Sequence, residues 1–96
     1  MAEAKFQTRF IKRVEREFPG CIVMKNDAGY QQGIPDWTVL FGPYWATLEI
    51  KGSRSASHRP NQDYFVTQMD NMSFSAFVYP ENEEEVISAL HTAFAS

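Results

Sequence analysis

The 96-residue chain has one cysteine, two histidines and no lysine or arginine after Arg59. A single thiol cannot form an internal disulfide, so stability must come from packing. Cys21, within Cys21-Ile22-Val23-Met24, reads as a small hydrophobe in a buried strand. A framework without disulfides fits a reducing compartment and a cytoplasmic, intracellular location. No apolar run is long enough for a transmembrane helix. The opening residues Met1-Ala2-Glu3-Ala4-Lys5 lack the apolar stretch of a secretory leader. Glycine and proline number five each, so they punctuate the chain rather than define a low-complexity segment. Without repeats or linkers, residues 1–96 are expected to form one domain. A chain this short buries only about 60–68% of its unfolded surface, so a subunit interface would help it.

The missing cations of the tail matter most for function. All nine bases lie between Lys5 and Arg59, and residues 1–62 set them against six acids, a balance of +3. Residues 63–96 hold six acids and no base, giving −6 and an overall charge of −3. That asymmetry excludes a uniformly basic nucleic-acid binder. It leaves a basic first part able to meet phosphate and an acidic tail that reads as a solvated helix face.

What is present is periodic. Phe6, Phe10, Val14 and Phe18 recur every fourth residue, with Ile11 beside them, predicting a helix over residues 3–18 that turns Lys12, Arg13 and Arg16 outward. Pro19-Gly20 ends it. Residues 21–25 form a short apolar strand, and residues 26–33 a polar loop. Residues 37–41 and 45–50 read as strands around Gly42-Pro43. Residues 52–59, rich in serine and arginine, read as a mobile loop. Pro60 opens a second helix with an apolar stripe of Phe65, Val66, Met69 and Met72. A strand over 75–79 follows. Asn82 then caps a last helix, with Glu85 placed for a capping box and Val86, Ile87, Leu90 and Phe94 buried. The expected order is αβββαβα.

A turn centred on Gly42-Pro43 pairs residues whose numbers sum to 85. Alternation then places Trp37, Val39, Phe41, Ala46, Leu48 and Ile50 on one apolar face. The opposite face carries Asp36, Thr38, Leu40, Trp45, Thr47, Glu49 and Lys51. Asp36 faces Glu49 across the strands. Two opposed carboxylates repel, and a hard divalent cation such as Mg²⁺ relieves the conflict. Lys51 shares their face by alternation, where its ammonium could orient water or offset charge on a phosphate. Hairpin geometry alone leaves a second reading open, a surface Asp–Glu–Lys cluster sharing a salt bridge.

Gly33-Ile34-Pro35-Asp36, followed after twelve residues by Glu49-Ile50-Lys51, resembles the signature of the PD-(D/E)XK nuclease superfamily. The pattern sits on a hairpin after an N-terminal helix, Gly33 precedes the Ile-Pro-Asp, and a loop and Gln62 follow. These features are similar to the virus-type replication-repair (VRR-NUC) branch and to phage-type Holliday-junction resolvases. The resemblance spans roughly residues 3–80. It implies an α/β, restriction-endonuclease-like fold with a central mixed sheet flanked by helices. It also implies phosphodiester hydrolysis dependent on Mg²⁺ or Mn²⁺. By the family pattern Asp36, Glu49 and the Ile50 carbonyl bind metal, and Lys51 is the catalytic lysine. Members often add an acid from the first helix. Glu3 is the candidate, because Glu3, Gln7, Phe10 and Val14 keep 4-3-4 spacing on the inward stripe, and Glu17 is the fallback. Gln62 is expected near the catalytic site.

Lys25, Asn26, Arg54 and Arg59 are candidates for DNA contact. Tyr30 and Trp45 could stack on bases, while His58 reads as a non-catalytic loop residue and His91 carries no assignment. The expected function is a Mg²⁺-dependent DNA endonuclease selective for branched DNA, acting as a homodimer in a bacterial or phage-infected cell. The alternatives are a nicking or repair nuclease of other preference, a non-catalytic nucleic-acid-binding module on the same fold, and a partner-binding protein using the acidic last helix.

Overall fold

A computed structural model describes residues 2–27 and 29–95. The elements are α1 (Glu3–Glu17), β1 (Ile22–Lys25), β2 (Trp37–Phe41), β3 (Tyr44–Ile50), α2 (Pro60–Met72), β4 (Phe74–Val78), a 3₁₀ turn (Pro80–Asn82) and α3 (Glu83–Ala95). The expected α/β order αβββαβα holds, with boundaries shifted by a residue or so. The four strands lie in the order β1-β2-β3-β4. The first two pairings are antiparallel and the last, joined through α2, is parallel.

The hairpin register is the one alternation demands. Trp37 pairs with Leu48, Val39 with Ala46 and Phe41 with Tyr44. Gly42 has φ +59°, and proline holds φ near −65°. Positive φ at the first central residue alone is the requirement of a two-residue type II′ hairpin turn, so Gly-Pro in that order suits this turn.

The core lies between the sheet and the pair α1 and α3. Phe6, Phe10, Val14 and Phe18 of the α1 segment meet Val39, Ala46, Leu48 and Ile50 of the hairpin and Val86, Ile87, Leu90 and Phe94 of α3. Helix α2 covers the opposite face over β3 and β4. Thr47 on that face donates to Ser75 at 2.8 Å, and the Ser75 amide donates to Asp70 at 3.0 Å. Glu49 is thereby only 3% exposed.

Several expectations change. The β1 strand is an edge strand rather than a buried one. Ile22 and Met24 are exposed, with Leu40 beside them, because α2 packs on β3 and β4 and leaves this side of β1 and β2 bare. The same offset leaves Met72 exposed. Asn82 does not cap α3 with its side chain. It accepts from the Tyr79 amide at 2.7 Å and donates to the Phe77 carbonyl at 3.0 Å, closing the 3₁₀ turn instead.

Arg13 does not face outward, and the acidic start of α3 is not simply solvated. Buried Glu83 pairs with Arg9 and Arg13, each at 2.9 Å, and Glu84 also pairs with Arg13. These partners are some 70 residues apart in the chain, so helix periodicity alone could not reveal them. The 52–59 segment is tethered rather than loose. The His58 ring stacks on Phe77 at 3.9 Å, and its nitrogens lie 3.1 Å from Asp63 and 3.2 Å from the Tyr79 hydroxyl. The Arg54 amide donates to Glu81. Among the described residues no helix is long and apolar enough to cross a membrane.

Candidate active site

The site forms where the hairpin's polar face runs under the start of α2. Strand β3 delivers Glu49, and Lys51 follows two residues later on the same side. The paired register ends at Trp37 and Leu48, and its continuation sets Asp36 against Glu49. Asn26 fixes the chain at Asp36. Its amide nitrogen donates to the Asp36 carbonyl at 2.7 Å, and its side chain donates to the Pro35 carbonyl at 2.8 Å and bonds Thr38. Asn26 is therefore a brace for the aspartate, with its side chain already engaged by protein.

Helix α2 begins with Pro60 and places Gln62 over the pair. The Lys51 ammonium donates to Gln62 Oε1 at 3.1 Å and lies 3.7 Å from Glu49 Oε2. Gln62 Nε2 donates to the same Glu49 oxygen at 3.4 Å. Gln62 Oε1 also accepts from the Arg59 amide at 3.0 Å, capping the helix. One amide thus ties the helix start to both charged residues.

The surroundings of Glu49 disfavour its charged form. Burial pushes the Glu49 carboxyl up to about 7, the Asp36 charge pushes the same way, and Lys51 opposes them. Glu49 Oε1 is buried with no hydrogen-bond partner. A buried acceptor beside a second carboxylate is the environment that a divalent cation satisfies. The two carboxylates, Asp36 and Glu49, therefore fit the expected metal.

Glu3 stands apart from this pair. It is exposed at the start of α1, where its carboxylate accepts from Gln7 at 3.2 Å. Its backbone lies close to Gly52, just past Lys51. Among the described residues no three of histidine, cysteine, aspartate and glutamate converge to hold a metal. Glu17 is occupied with His91 at 2.7 Å and with Arg13. Lys25 donates to Gln7 at 3.3 Å and lies 4.7 Å over the Trp37 ring. Arg54 and Arg59 are exposed around the tethered segment.

Gln7 is the residue that sequence reasoning passed over. Its Oε1 accepts from both Lys25 and Trp37 Nε1, and its Nε2 donates to Glu3, joining α1 to the strands. A polar residue on the inward stripe, one turn from Glu3, was the available signal.

Gly33 has φ +87°, and an added Cβ would lie 2.6 Å from Asn61 Cγ. Gly33→Ala therefore combines left-handed backbone strain of about 1–3 kcal/mol with a clash between the Asp36 loop and α2. Thermal unfolding should show the midpoint falling by roughly 4–8 °C per kcal/mol lost. An unchanged midpoint would mean that the loop does not need this close approach.

The chain is an α/β domain, a four-stranded mixed sheet between helices, with Asp36, Glu49 and Lys51 gathered at the open end of the hairpin. No family model matches the sequence, and no curated protein matches it. Solved structures do match. One VRR-NUC domain superposes with a TM-score of 0.73 at 21% identity, over 92% of this chain and 96% of that one. A second, described as a VRR-NUC domain protein, gives 0.68 at 15% identity, over 99% and 89%. The fold of this chain is that of VRR-NUC domains.

Proposed function

We propose that this chain is a metal-dependent DNA endonuclease that hydrolyses phosphodiester bonds, with branched DNA as its preferred substrate. The observation that carries the reading is buried Glu49, with one carboxylate oxygen unpartnered, beside the half-buried Asp36 and a lysine held by Gln62. A divalent cation such as Mg²⁺ or Mn²⁺, bound there, would supply a Lewis acid for the phosphate and a lowered pKa for water at the site.

The remaining work falls to side chains. Asp36 and Glu49 supply the negative charge that draws the cation in. Hydrolysis forms one bond from water oxygen to phosphorus and breaks the bond to a sugar oxygen, so charge builds on the non-bridging oxygens. Lys51 is poised to offset that charge. Its ammonium is pre-positioned by Gln62, which spares reorganisation during the reaction. Exposed Arg54 and Arg59 border the site and suit contact with flanking phosphates.

A four-way junction has two symmetric cleavage points, so a two-fold dimer is the matching assembly. Exposed Ile22, Met24 and Leu40, on the same sheet face as Glu49, supply apolar surface for a second copy. The test is cleavage of end-labelled four-way junctions, flaps and linear duplexes by the purified chain in Mg²⁺. Paired symmetric nicks in opposing strands, with slower cleavage of linear duplex, are expected. Equal cutting of every substrate would remove the junction preference and leave a less selective nuclease.

A further inference from the structure

We infer that the outer face of α1 is a track for the phosphate backbone of the duplex flanking the cleavage site; this rests on the nuclease reading above. Lys5, Arg9, Lys12 and Arg16 follow 4-3-4 spacing, which places them on one side of the helix. All four are exposed. They lie opposite the stripe of Phe6, Phe10 and Val14 that enters the core.

The state of these cations separates them from an ordinary solvated helix face. The acids at the start of α3 engage Arg9 and Arg13. Lys5, Lys12 and Arg16 have no ion pair or hydrogen bond among the described residues. In a chain of net charge −3, three of the four cations of the row are therefore unpaired, while Arg9 within it and Arg13 beside it are engaged by Glu83 and Glu84. Glu15 is exposed but sits off the line.

Shape and position point to the same ligand. Ala4 and Thr8, both small and exposed, lie beside Lys5, Arg9 and Lys12 on this open helix face, so a polyanion can approach the cations directly. The first turn of the helix, at Glu3, lies against Gly52, next to Lys51, and the helix then runs along the sheet face opposite Glu49. From Lys5 to Arg16 the row runs roughly 17 Å at 1.5 Å per residue. Each strand of a duplex presents about five phosphates over that axial length. An extended, evenly charged rod suits such a row, and a small anion would use only one of its cations.

The test measures binding of a fluorescent duplex by anisotropy in EDTA, across a salt series. It compares the unchanged chain with a variant carrying Lys5→Gln, Lys12→Gln and Arg16→Gln. The variant should bind ~10- to 100-fold more weakly at low salt, and its log–log salt slope should fall by about 2–3. In Mg²⁺ its KM should rise while kcat at saturating DNA holds. A charge-preserving variant, Lys5→Arg with Lys12→Arg, should bind as the unchanged chain does. All substituted positions are exposed, and an unchanged thermal midpoint confirms folding. Unaltered affinity and slope in the glutamine variant would overturn the track and leave the nuclease reading standing. An unchanged chain that neither binds nor cleaves DNA would overturn both.

Discussion

Glu49→Gln is expected to abolish metal-dependent cleavage and yet to stabilise the metal-free protein at neutral pH. The carboxyl is raised to about 7 in the folded chain by burial, with Asp36 adding to the shift. In the unfolded chain it ionises near 4.5, so the unfolded state releases this proton first. Stability from this group is therefore greatest below about 4.5, falls as pH rises towards 7, and is flat above. The whole penalty is up to roughly 3 kcal/mol. Glutamine keeps the shape and cannot ionise. Thermal unfolding of the two proteins without metal should coincide near pH 4 and diverge by pH 8, with the variant more stable. Adding Mg²⁺ should raise the midpoint of the unchanged chain and not that of the variant. A stability difference that does not vary with pH would contradict this description of Glu49.

Lys51→Ala should lower kcat by about 10²–10³-fold, the range seen when a pre-positioned stabiliser of developing charge is removed. Lys51 makes its contacts with Glu49 and Gln62 before any substrate arrives, so its loss should not prevent DNA binding. It also removes the one charge that lowers the proton affinity of Glu49. The pH at which metal binding half-develops should then move upward. Single-turnover cleavage and metal titration across pH read both effects. Near-normal turnover would take Lys51 out of the chemistry.

Much of this architecture was legible because it depends on short-range rules. Gly42-Pro43 fixes the hairpin, the hairpin fixes the register, and the register places Asp36 and Glu49 opposite each other. The four-residue recurrence of Phe6, Phe10, Val14 and Phe18 sets the buried face of α1. The rest depends on how distant elements dock. Alternation put Glu49 on the face away from the main core, but it could not say that α2 would cover that face and bury the carboxylate. The same placement of α2 leaves Met24 and Met72 exposed, although their local pattern is apolar. Arg13 looked outward on its helix, and only the docking of α3 brings Glu83 and Glu84 to it. His58 gave no hint that Phe77 and Tyr79 would stack beside it and tether its loop. For the site, the strand residues were readable, while Gln7 and the engaged side chain of Asn26 depend on contacts between elements.

Asp36 and Glu49 are proposed as the metal-dependent centre of a nuclease. The most direct measurement is cleavage of junction and duplex DNA by the purified chain and by folded Asp36→Ala, each in Mg²⁺ and in EDTA. Cleavage by the unchanged chain in Mg²⁺ alone, lost in Asp36→Ala, is the predicted result. Cleavage that survives in Asp36→Ala, or an unchanged chain that never cleaves, would contradict it.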